Sequence, residues 1–74
     1  MVRVYDNLGQ SIDRYTVIFD GGDAIGMSEN ANQPNGFCQY LGEVSIDDLG
    51  VEIELDECPL GVLRQINQAL LQGY

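Results

Sequence analysis

Three carboxylates recur at every second position of the segment VEIELDE: Glu52, Glu54 and Asp56. On an extended strand this places them on one face at intervals of about 6.6 to 6.8 Å, twice the rise per residue. Asp47, Asp48 and Glu57 extend the run. The interval is close to two axial steps of roughly 3.4 Å along one DNA strand, so carboxylates so spaced imitate phosphates and fit a basic nucleic-acid channel. The same row also reads as the solvated face of an edge strand, blunted by charge against aggregation.

A second constellation is polar and largely uncharged. Asn7, Ser11, Thr16, Ser28, Asn30, Asn32, Asn35 and Gln39 lie among Tyr5, Tyr15, Phe37 and Tyr40, with Arg14 as the local cation. Amides, hydroxyls and aromatic faces around one arginine suit a small polar ligand such as a nucleotide. In that reading Arg14 anchors an anionic group, and Tyr15, Asn30 and Asn35 orient it. The competing reading is that these residues cap turns, and that Asp13 and Arg14 form a local charge pair. Asp20, Asp23 and Glu29 offer oxygens to calcium, but their spacing does not match an EF-hand loop, and no metal or other cofactor is expected.

Composition narrows the chemistry. Twelve acidic residues stand against three arginines, with no lysine and no histidine, for a formal net charge of −9 in 74 residues. That charge opposes direct binding to nucleic acid or to anionic lipid. Without histidine, the commonest general base and metal ligand are missing, and neither Cys38, Ser11 nor Ser28 has an evident activating partner. The expectation is therefore a protein that is not an enzyme. Six of the twelve acidic residues lie between Asp47 and Glu57, so the charge is concentrated in the second half. Cys38 and Cys58 show no zinc spacing, and no secretory or membrane-spanning segment is evident, so reduced thiols and a cytoplasmic setting are expected.

These side chains need elements to hold them. Val2 to Tyr5 alternates as a short strand, and Arg14 to Asp20 carries apolar groups on both faces, as a central strand does. Asp20-Gly21-Gly22-Asp23 predicts a tight turn returning through an antiparallel strand from Ala24 to Ser28. Glu29 to Gly36 is a loop by composition, with Phe37, Tyr40 and Leu41 anchoring its far side. Val44 to Asp48 fits an edge strand or an extended link. Val51 to Glu57 predicts a half-buried strand with Val51, Ile53 and Leu55 inward. Pro59 suits the first position of a terminal helix whose stripe is Leu63, Ile66 and Leu70, flanked by Val62 and Ala69, with Gly73 as its stop. The fold class is α+β: one domain over residues 1–74, with an antiparallel sheet of three to five strands and one C-terminal helix on a face.

The pieces Tyr5-Asp6-Asn7, Asp13-Arg14-Tyr15-Thr16-Val17, Gly26-Met27-Ser28-Glu29-Asn30 and Pro34-Asn35-Gly36-Phe37, with the alternating strand, proline and helix that follow, resemble short uncharacterised proteins of phages and bacterial mobile elements. The resemblance implies a mobile-element setting inside a bacterial host cell, where small acidic proteins counter host defence as anti-CRISPR proteins do. The expected function is a small acidic inhibitor of a host nucleic-acid-binding or defence complex. Its partner would be a basic protein surface met through Asp47, Asp48, Glu52, Glu54, Asp56 and Glu57. The alternative is a domain that binds or sequesters a nucleotide-like ligand through Arg14, Tyr15, Asn30 and Asn35. A twofold homodimer through the sheet edge or the helix stays open.

Overall fold

In the computed structural model, which describes residues 2–31 and 33–73, five strands form one antiparallel sheet. They are β1 (Arg3–Asp6), β2 (Tyr15–Ile18), β3 (Ala24–Met27), β4 (Cys38–Gly42) and β5 (Val51–Ile53). The order across the sheet is β4-β3-β2-β1-β5, so β2 is the central strand its two apolar faces predict. The β2–β3 hairpin closes through Gly21 and Gly22, both at φ near +90°, a conformation that glycine reaches without steric cost. The Phe19 amide donates to the Asp23 carbonyl at 2.9 Å across this turn.

One face of the sheet carries the core. Val4, Tyr15, Val17, Phe19, Ile25 and Met27 pack against Cys58, Val62, Ile66 and Ala69 of the terminal segment. The helix, α1, spans Leu60–Leu71 with Pro59 as its cap, one position outside the first turn. Its buried stripe is Val62, Ile66 and Ala69, offset from the expected Leu63–Ile66–Leu70 line; Leu63 is half-buried and Leu70 is exposed. The two lines share Ile66, and contact falls on the one with Ala69, whose small side chain admits closer approach to the sheet. Among the described residues, no helix is long and apolar enough to cross a membrane.

Three sequence expectations need correction. Cys38–Gly42, not expected as a strand, is a full edge strand paired with β3. The strand expected over 51–57 stops at Ile53: Glu54 caps a 3-10 turn at Leu55–Glu57, and the Glu57 carboxylate accepts the Glu54 amide at 2.9 Å. That local bond competes with the ladder. Val51 and Leu55, expected inward, are 56% and 45% exposed, while Ile53 packs against the core. Val44–Asp48 forms no strand; Ile46–Asp48 is another 3-10 turn.

The face away from the helix is built differently. A single cross-strand row runs Glu52–Tyr5–Thr16–Gly26–Gln39 from β5 to β4. Loop residues cover its centre. Asn7 Nδ2 donates to the Thr16 hydroxyl (2.9 Å) and to the Asp13 carbonyl (2.8 Å), and Asn7 Oδ1 accepts the Gly50 amide (3.1 Å). Asn7, Asp13 and Thr16 are all buried. The sheet therefore has an apolar side under the helix and a polar side under the Asn7–Asp13 loop.

Candidate functional site

The acidic residues of the second half sit on β5 and the two 3-10 turns that flank it. Asp47 and Asp48 lie in the first turn, Glu52 on the strand, Glu54 at the cap of the second turn, and Asp56 and Glu57 within it. All six are exposed, as is Glu43 upstream. Because the strand is three residues long, the regular carboxylate ladder expected over Glu52, Glu54 and Asp56 is not formed. Glu52 is also neutralised: Arg3 donates to it twice, at 2.8 and 3.1 Å, and holds its carboxyl below the usual range. The other carboxylates of this segment face solvent with no cation paired to them among the described residues. Ile46, Val51 and Leu55 stand exposed between them. Among the described residues β5 pairs with β1 alone, which leaves its outer edge unpaired. An open edge flanked by unpaired charge is suited to another chain and resists self-association.

The candidate small-ligand residues are only partly brought together. Asn30 Nδ2 donates to Asn35 Oδ1 at 3.0 Å. Arg14 is engaged elsewhere: it donates to both oxygens of Asp6 (2.9 and 3.3 Å) and lies 3.6 Å from Glu29. Its hydrogen bonds hold the Asp6 carboxyl below its ordinary value. The expected Asp13–Arg14 pair is not formed, because Asp13 turns under the sheet while Arg14 reaches back to β1. Tyr15 is 5% exposed and belongs to the core, with Arg14 stacked 5.4 Å from its ring centroid. An anion approaching Arg14 would meet the carboxylates of Asp6 and Glu29. Asn32, grouped with these amides, lies outside the described residues.

Cys38 and Cys58 are both free. Burial pushes both thiols up, and the charges of Glu57 and Asp56 add to the effect at Cys58. A raised thiol is a poor nucleophile. Among the described residues, no three His, Cys, Asp or Glu side chains converge to hold a metal ion.

A feature not anticipated lies on the polar face. A cavity of about 250 Å³ opens between the Asn7–Asp13 loop and the Asp48–Gly50 segment, with Thr16 among the residues lining it. Asp13 also lines it, 8% exposed, its Oδ1 accepting from Gln39 Nε2 at 2.7 Å. Its carboxylate lies directly over Gly26, where any β-carbon would collide with it. The available signal was Gly26 itself, since a glycine inside a strand marks close approach by another group.

Comparisons with protein-family models, with curated proteins and with solved structures found no match for this chain.

Proposed function

We propose that this protein is a non-enzymatic binding module that occupies a basic, nucleic-acid-binding surface of a partner protein and thereby blocks it, as expected of an inhibitor of a host defence complex. The observation that carries the reading is the distribution of charge. Seven of the twelve acidic residues lie between Glu43 and Glu57, a stretch with no lysine, arginine or histidine. Two of the three arginines are already bound to carboxylates. What remains facing solvent is an acidic edge with apolar residues interspersed, the composition that a cationic protein surface complements. The regular phosphate-like spacing is not part of this proposal; charge density and the open β5 edge are.

The test is capture by the tagged protein from a bacterial host lysate, followed by challenge with duplex DNA. The expected result is a basic nucleic-acid-binding protein that DNA displaces and that rising salt releases, because contacts between exposed charges are screened. The variant D47K/D48K/E54K/E57K, which moves the net charge from −9 to about −1 by replacing four negative with four positive groups, should lose the partner. Capture that survives both the variant and the DNA overturns the proposal.

A further inference from the structure

The cavity on the polar face is lined in part by Asp13. Asp13 is more than nine-tenths buried, yet no arginine among the described residues pairs with it. A buried carboxylate is costly unless it is paired and hydrogen-bonded. Among the described residues, the one side-chain donor to the Asp13 carboxylate is Gln39. The strand beneath gives up a side chain at Gly26 to make room for it. The neighbouring Asn7 amide is consumed by Asp13, Thr16 and Gly50 and offers no compensating charge. Asp13 is thus one of the residues that line an open cavity, with Asp48 as a second acidic residue in the lining.

We infer that this cavity receives the guanidinium group of an arginine side chain presented by the partner, with Asp13 as the counter-ion. Three properties select that group. The volume of about 250 Å³ far exceeds the roughly 10–15 Å³ that one water molecule needs on the same measure, and so exceeds what a bare cation fills. Metal is disfavoured by the ligand set, since no cluster of three acidic, cysteine or histidine residues converges there among the described residues. The lining is divided in kind: Leu8, Leu41 and Leu49 offer apolar wall to a methylene stem, while Asp13, Ser11 and Gln10 offer acceptors to a flat head. Guanidinium carries five donors in a fixed fork that matches a carboxylate, whereas ammonium is a compact and more strongly hydrated charge. The inference deepens the proposed function and rests on it, because the partner that supplies the arginine is the basic surface that the acidic edge meets.

The experiment titrates the full-length protein with N-acetyl-arginine amide and follows backbone amide shifts by NMR. Its neutral isostere N-acetyl-citrulline amide and free zwitterionic arginine are run alongside. The expected result is saturable shifts confined to Asn7–Asp13, Thr16 and Asp48–Gly50, at least tenfold weaker binding for the citrulline probe, and at least tenfold weaker binding of the arginine probe to D13N. D13N keeps an amide oxygen for Gln39; if that variant does not fold, the citrulline comparison on the unaltered protein decides. Equal response to the two blocked probes, unchanged affinity in a folded D13N, or shifts restricted to residues 51–57 overturns the inference. Free arginine binding more tightly than the blocked probe also overturns it, since the ligand would then be a small molecule. The edge variant D47K/E54K/E57K separates this inference from the reading it rests on: it should lose the captured partner yet still bind the arginine probe. Partner capture that persists in D13N, with no probe binding to the unaltered protein, rejects the cavity and leaves the edge standing.

Discussion

Gly26→Ala is the sharpest test of how the polar face is assembled. A β-carbon at this position would fall inside van der Waals contact with Asp13 Oδ1 and Cγ, and 2.9 Å from Oδ2. Gly26 cannot yield, because β3 is laddered to β2 on one side and to β4 on the other. Asp13 must therefore move, which breaks its 2.7 Å bond from Gln39. Loss of a hydrogen bond to a charged group costs about 1.5–3 kcal/mol. Forcing an extra carbon into a packed site costs about 1–3 kcal/mol. Replacing glycine in a strand returns about 0.5–1 kcal/mol of backbone entropy. The net expectation is a loss of about 2–4 kcal/mol, against a total of about 4–11 kcal/mol for a domain of this length. By the same scaling the melting temperature falls by about 10–30 °C. The assay is urea denaturation of four proteins: the native chain, G26A, D13A and G26A/D13A. With the Asp13 side chain removed, the added methyl has room, so G26A should cost less than about 0.5 kcal/mol in the D13A background, leaving a coupling of at least about 1.5 kcal/mol. Additive costs, or a G26A midpoint equal to that of the native chain, would refute the packing of Asp13 on Gly26.

Three further outcomes follow from the same structure. Tyr5 is 3% exposed, and its hydroxyl is buried with no hydrogen-bond partner among the described residues, so Tyr5→Phe should raise stability by about 1 kcal/mol in urea denaturation; a lower midpoint would show that the hydroxyl is satisfied. Asp13→Asn keeps an acceptor for Gln39 while removing an uncompensated buried charge, so it should stabilise the fold by about 1 kcal/mol, and a marked loss in thermal denaturation would mean that the charge supports the fold. Arg14 holds the Asp6 carboxyl below its ordinary value through its hydrogen bonds, so Asp6 contributes stability that is complete above the unfolded value of about 3.9 and is lost as pH falls through the lowered folded value. Asp6→Asn should therefore be less stable than the native chain at pH 7, and the gap should close below about pH 4 when urea midpoints are compared across pH; a gap independent of pH removes the ion pair from the account.

The parts of the fold that were legible in the sequence are those with strong local signals. Arg14 to Asp20 is apolar on both faces, and a paired glycine turn follows it, which was enough for β2, β3 and their hairpin. β4 was missed because Cys38–Gly42 buries little: Cys38, Gln39 and Tyr40 are exposed. It is a strand by its backbone ladder to β3, which leaves no apolar alternation to read. The segment Val51 to Glu57 shows the opposite failure. Its alternation is perfect, yet the hydrogen bond from the Glu54 amide to Glu57 ends the strand. Pattern records which side chains prefer burial, not where backbone bonding stops. At the candidate site, sequence offers Asp13 only its neighbour Arg14 as a charge partner, in the competing reading, because proximity along the chain is the one distance it contains. Its actual partners are Gly26 and Gln39, thirteen and twenty-six residues away, and only strand register brings them under it.

The division of charge in this chain has a physical logic on the proposed reading. Arg3 neutralises Glu52 alone of the acidic edge, and Arg14 is held by Asp6 on β1, so the other carboxylates of the edge keep their charge. Exposed rim charges chiefly set the rate of encounter and its dependence on salt, while a desolvated anchor chiefly sets the lifetime of a complex. Asp48 belongs to both places: it is one of the acidic residues of the edge, and it lines the cavity that holds Asp13. The edge and the cavity are therefore contiguous, and a basic surface drawn to the first is delivered to the second. Acidity alone would attract many cationic proteins. A buried carboxylate reached through a cavity accepts only a partner that can extend a long, flat cation into it, and that requirement turns a general electrostatic attraction into a selective one.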